Sequence, residues 1–154
     1  MVDGILQAYE ALEVPKAPTS VFAQHLIHRR DAWFVRVVQD NVDLGLVYVT
    51  DIVVNWSGVL NVVFWDGRLT KERRTAVLDV AATALKEFEL VRLSAFAPYS
   101  NQPLRAMLRK ISFVHEGVIR QGWAAAEGKP KDLFMFGLLS EEVPWHKTTL
   151  ISLA

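Results

Sequence analysis

Residues 68–74 of the sequence, Arg68-Leu69-Thr70-Lys71-Glu72-Arg73-Arg74, place four cations at what reads as the mouth of a helix. Thr70 is a candidate N-cap. Beyond it Val77, Val80, Ala81, Ala84, Leu85 and Phe88 fall at i, i+3, i+4, i+7, i+8 and i+11, one continuous apolar stripe. The first turn of a helix presents unpaired N–H groups and a partial positive charge. Exposed cations there cost about 0.3–1 kcal/mol each. Lys71, Arg73 and Arg74 are therefore either harmless in water or matched by an anion. A phosphate would use both the free N–H groups and the cationic side chains.

Groups able to move a proton lie on either side of this helix. Tyr99 and Ser100 carry hydroxyls, His115 and Glu116 are neighbours, and Asp66 stands just before the helix mouth. Such groups can act as general acids or bases. On a strand, His115 and Glu116 face opposite sides of the sheet, so they cannot both line one cleft. Asp66-Gly67 is also ordinary turn chemistry. His25 and His28 share one face of a possible helix with no third ligand in view, and no metal site is expected. No G-x-S-x-G, P-loop or dinucleotide fingerprint occurs in the sequence.

The elements that must hold these groups follow from the hydrophobic pattern. Helices are expected over residues 3–13 and 20–30, separated by Val14-Pro15-Lys16-Ala17-Pro18, whose prolines interrupt a helix. Strands are expected over 32–39, 44–54 and 58–65, with turns at Asp40-Asn41 and Ser57-Gly58. The helix from Thr70 follows, then a strand over 91–97. A shorter helix over 101–111 has Pro103 in its first turn and turns Leu104, Met107, Leu108 and Ile111 inward. Strands over 113–123 and 133–139 close the pattern, joined by the turn residues Glu127-Gly128-Lys129-Pro130. Three antiparallel strands and a strand–helix–strand crossover make a mixed α+β sheet flanked by helices.

Composition narrows the classes. At 154 residues with 51% hydrophobic content, the chain suits one domain with a real core, spanning 1–154. Seventeen basic residues balance seventeen acidic ones, which argues against general nucleic-acid binding and polybasic membrane attachment. The absence of cysteine excludes disulfides, thiolate metal sites and a cysteine nucleophile. The N-terminus lacks a signal-peptide pattern, and the apolar stretch 44–65 is too interrupted to span a bilayer. A soluble, cytoplasmic protein is expected. Of five tryptophans, Trp123 and Trp145 are the candidates for exposure, while Trp33, Trp56 and Trp65 are expected in core or cleft. The apolar tail could add a strand or dock on a partner.

The second half of the sequence resembles the GNAT acetyltransferase superfamily, in particular its Rim-type branch of ribosomal-protein N-acetyltransferases. Asn101-Gln-Pro-Leu-Arg-Ala-Met-Leu-Arg-Lys-Ile-Ser-Phe113 resembles the family segment N-x-x-S-x-x-x-L-x-x-x-G-F in length. Val114-His-Glu-Gly-Val-Ile-Arg120 resembles V-x-E-G-x-x-R, with Gly117 suited to a bulge. Glu127-Gly128, Asp132 and Phe136-Gly-Leu-Leu-Ser-Glu-Glu142 resemble the family's ending. The match covers about residues 57–142; residues 1–31 form an atypical helical N-terminus, and 143–154 extend past the usual finish.

The resemblance implies acetyl-CoA as a substrate, no metal, and an amine acceptor, either a small molecule or a protein N-terminus. It places the pyrophosphate on the R/Q-x-x-G-x-G/A register. Here that register reads Arg68 to Arg73, with Lys71 and Arg73 where the family has small residues; Thr70 and Arg74 belong to the same seat. Backbone N–H groups of Val62, Val63 and Phe64 would polarise the thioester, and Asn101 would meet the cofactor arm. Leu104 replaces a family serine, so Tyr99 or Ser100 would supply the hydroxyl, with Asp66, His115 or Glu116 as candidate bases. The competing class is a GNAT-fold protein without catalysis, serving as a structural or binding subunit in a homo-oligomer or a larger assembly such as a virus particle.

Overall fold

A computed structural model describes residues 30–124 and 128–151. The expected helices over 3–13 and 20–30, the proline-bearing linker and His25 and His28 lie outside the described residues. Strands β1 (Trp33–Gln39), β2 (Val42–Val53) and β3 (Ser57–Phe64) come first, then helix α1 (Lys71–Glu87) and strand β4 (Arg92–Pro98). Helix α2 (Gln102–Lys110) and strands β5 (Val114–Ala124) and β6 (Pro130–Leu139) follow, and two short 3-10 turns end the described chain. The sheet order is β1-β2-β3-β4-β6-β5, antiparallel except where β3 meets β4. This is the expected α+β, GNAT-like arrangement.

Local chemistry explains where the elements begin. Asp40 and Asn41 both adopt positive φ and close a two-residue hairpin, so β2 starts at Val42 rather than at residue 44. The next turn is Val54-Asn55-Trp56, not the expected Ser57-Gly58, because Asn55 takes the left-handed conformation at φ 66. Gly58 instead lies inside β3, where a Cβ would sit 2.8 Å from the Val49 Cγ1. Trp56 is consequently carried on the hairpin tip and is 59% exposed, against the expectation of core packing. Trp145 is exposed as expected, and Trp123 is half-buried.

One continuous core joins both helices to a single face of the sheet. Val77, Val80, Ala81, Ala84 and Leu85 of α1 are buried as the stripe predicts, with Phe88 half-buried at the C-cap. Met107, Leu108 and Ile111 bring α2 onto the same core with Leu93, Ala95 and Phe136. The described part of the tail, as far as Ile151, adds no strand. Thr149 N–H donates to Asp79 Oδ1 (2.8 Å) and Ile151 N–H to Thr83 Oγ1 (3.0 Å). Asp79 and Thr83 are one helical turn apart, about the span of two extended residues, so the tail runs along α1 in register.

Candidate active site

The site begins where two strands part. β3 and β4 pair in parallel from Ser57↔Arg92 only as far as Leu60↔Ala95. Beyond that point β3 stays on β2 up to Gly45↔Phe64, and β4 stays on β6 up to Pro98↔Leu133. The sheet therefore opens into a V between residues 61–64 and 96–98. Backbone groups alternate sides along a strand. Trp65 N–H donates to Leu44 O (3.0 Å), so Trp65, Val63 and Asn61 bond to β2. Val62 and Phe64 turn their N–H and C=O into the V. Of the three expected backbone donors, Val63 is spent on the ladder.

A cavity of about 510 Å³ fills the V. Its wall comes from both faces of the sheet. Leu60, Val62, Ala95, Leu104 and Leu108 belong to the core face; Asn61, Phe96, Pro98, Trp123, Lys131 and Leu133 belong to the opposite face. Two reactants can thus meet in it from opposite sides. Trp123 and Lys131 reach the wall through a wide bulge: residues 120–122 of β5 stand against Asp132 alone on β6. Asp132 Oδ1 closes the bulge by accepting from Gln121 N–H (3.0 Å), and Gln121 takes φ 53. Gly122 is required there, since a Cβ would lie 2.7 Å from Ile119 Cγ2.

The candidate proton-transfer groups divide. Ser100 lines the cavity. Tyr99 is 60% exposed, edge-on to Phe134 at 5.8 Å, with the Arg105 guanidinium over its ring at 5.2 Å. It lies beside the cavity rather than in its wall. His115 packs against Phe134 and Phe136 on the helix-covered face (5.1 and 5.3 Å). Glu116 pairs with Arg92 above Gly137 on the other face. They do face opposite sides, and neither lines the cavity; Glu116 is the extra residue of a bulge between His115 and Gly117. Ion pairing raises the Arg92 pKa, chiefly through the Glu116 hydrogen bond. Asn101 lines the cavity, and its Oδ1 caps α2 by accepting from Leu104 N–H (3.2 Å).

The mouth of α1 directly follows the open end of β3. Thr70 is the N-cap: its Oγ1 accepts from Arg73 N–H (3.3 Å), and its carbonyl accepts from Arg74 N–H (2.9 Å). The amides of Lys71 and Glu72 remain aimed out of the helix end. Arg73 departs from its expected role. It is only 8% exposed, forks onto both oxygens of Asp66, donates to Arg68 O (2.9 Å) and lies 5.0 Å over the Phe64 ring. Its charge is matched internally, and it braces the 66–68 loop instead of reaching a ligand. Arg68, Lys71 and Arg74 are the cations left at the mouth.

The brace sets an acid limit. The hydrogen bond from Arg73, then that from Arg68 N–H, holds the Asp66 carboxyl at about 2, below its ordinary 3.8. Arg73 is correspondingly raised by Asp66. A depressed carboxyl pKa favours the folded state above the unfolded-state value and loses that contribution as pH falls. Wild-type stability should therefore drop between about pH 4 and 2, and Asp66→Asn should lack that part of the drop. Denaturant melts of both proteins across this range check it.

The sequence reasoning missed Asn61, Phe96, Trp123 and Lys131 as site residues. Only the bulge chemistry of Gln121-Gly122 hinted at the last two. Among the described residues no cluster of three acidic, histidine or cysteine side chains could hold a metal, and no helix is long and apolar enough to cross a membrane.

The parallel pair that parts over a cavity, with a helix springing from its open end, defines the GNAT acetyltransferase fold. Solved structures of acetyltransferases share this fold with the chain. It is similar to Mycobacterium smegmatis RimJ in complex with CoA-disulfide, at 18% identity over 95% of this chain and 80% of that one, with a TM-score of 0.76. It is similar to the ribosomal-protein-S5-alanine acetyltransferase of Vibrio fischeri, at 17% identity, 92% and 89% coverage and a TM-score of 0.73. A mutant spermidine N-acetyltransferase SpeG of Vibrio cholerae gives 13%, 91%, 88% and 0.74. At these identities the likeness is one of fold. No family model matches the sequence, and no curated protein does.

Proposed function

We propose that the chain is a cytoplasmic N-acetyltransferase of the Rim type, moving an acetyl group from acetyl-CoA to an amine, a small molecule or a protein N-terminus. The observation that carries this reading is the two-faced cavity in the V, with the mouth of α1 following the open end of β3 in the chain. The residues present fit acetyl-CoA as substrate. Arg68, Lys71 and Arg74, with the amides of Lys71 and Glu72, offer donors for a diphosphate, charged side chains standing where glycines would expose more backbone. The free edge of β3 offers Val62 and Phe64 to an amide-bearing arm as a strand would. Val62 N–H is the donor for a thioester oxygen that gains charge as the amine attacks. The amine enters from the face of Asn61 and Phe96, and the Ser100 hydroxyl is placed to protonate the departing thiolate.

Arg68→Ala and Lys71→Ala should each weaken CoA binding about tenfold, the scale of one charge-assisted hydrogen bond. Calorimetric titration measures it, and unchanged affinity for both would remove the cation seat. Arg73→Ala should instead lower stability, since its guanidinium braces the loop. That brace also favours a second reading. A helix mouth whose Arg73 is tied into its own loop suits a GNAT-fold subunit that has lost its nucleotide, and such a protein would release no CoA thiol with any amine.

A further inference from the structure

The acceptor side of the cavity carries its own chemistry. Asn61 is the first residue past the last β3–β4 pair, on the face away from the helices. Its Nδ2 donates to Thr50 Oγ1 (3.2 Å) and to Val59 O (3.1 Å). A carbonyl only accepts, so the amide orientation is fixed and both Nδ2 hydrogens are used. Oδ1 is then the atom Asn61 offers to the cavity it lines. A neutral acceptor oxygen suits the N–H of an attacking amine. It does not reward a cation as a carboxylate would.

Farther along the same face, Trp123 and Lys131 are direct cross-strand partners, so their side chains stand together on the wall. Lys131 is the one charged side chain among the described residues of that wall. Its ammonium repels a second cation and attracts a carboxylate or carbonyl oxygen. We infer that the acceptor is a peptide amino terminus bearing a carboxylate within its first residues, with Asn61 Oδ1 positioning the amine and Lys131 pairing with the acid, and that polyamines are rejected. The inference rests on the acetyltransferase reading and names its substrate class.

The test is the binding of three amines to the full chain in the presence of CoA: Ala-Glu-Ala amide, Ala-Lys-Ala amide and spermidine, by calorimetry. The glutamyl peptide should bind about tenfold more tightly than either of the others, the scale of one well-placed charge contact. Lys131→Glu, at a half-buried strand position, should reverse that order, and Lys131→Gln should abolish it. Asn61→Ala should weaken both peptides alike and leave their ratio unchanged. Spermidine binding as tightly as the glutamyl peptide, no binding of any of the three, or a preference unmoved by Lys131→Glu would each overturn the inference. Acetyl transfer is read separately: the charge preference without turnover would remove the enzymatic reading while leaving the acceptor surface in place.

Discussion

Val62→Pro is expected to lower acetyl transfer by about 10²–10³-fold, the cost of removing one preorganised donor to a developing oxyanion. The substitution is unusual in a strand interior, where proline ordinarily breaks a ladder bond. Here the geometry exempts it. Val62 points its N–H away from β2 and into the V, so the proline removes a hydrogen bond that only a substrate would make. Melting temperature and far-ultraviolet circular dichroism should change little. Val63→Pro is the contrasting control: its N–H belongs to the β2–β3 ladder, and this variant should lose fold and activity together. A Val62→Pro protein that is folded and fully active would show that the backbone donor lies elsewhere.

Phe136→Ala is expected to cost about 3–5 kcal/mol, the usual range for emptying an aromatic site in a packed core. Phe136 is 0% exposed and directly opposite Ala95 on β4, a residue of the cavity wall. Its ring also meets His115 at 5.3 Å and carries the Arg109 guanidinium at 5.8 Å. The loss would thus loosen α2 against the sheet. Domains have about 5–15 kcal/mol to lose in all, and about 2–4 °C of melting temperature goes with each kcal/mol at this size. Urea unfolding with an unchanged slope is the clean readout. A loss of under about 1 kcal/mol would mean that the site collapses around the smaller side chain.

The fold was legible because its signals are local and periodic. The α1 stripe, Thr70 as cap, the left-handed pair Asp40-Asn41 and Pro103 inside α2 each declare an element within a few residues. The hairpin at 54–56 was misread because Ser57-Gly58 looks like a turn, while the glycine is demanded by the side chain of Val49 nine residues earlier in sequence. The site was legible only in part. Val62, Ser100 and Asn101, named from sequence, line the cavity. Arg73 was misread because its partner, Asp66, seven residues upstream, has the look of a turn residue. Trp123 and Lys131 were invisible as site residues. A two-residue slip of register in β5 brings them to the cavity, and Gln121-Gly122 is its one local sign.

The proposed function requires one seat: the helix mouth at Arg68–Arg74 and the open edge of β3 would together receive acetyl-CoA. Calorimetric melting with and without acetyl-CoA tests it most directly. At one hundred times the dissociation constant the folded state should gain about 2.7 kcal/mol, with a matching rise in melting temperature. An unchanged melt at millimolar acetyl-CoA, together with no heat of binding, would contradict the seat and leave a fold without its nucleotide.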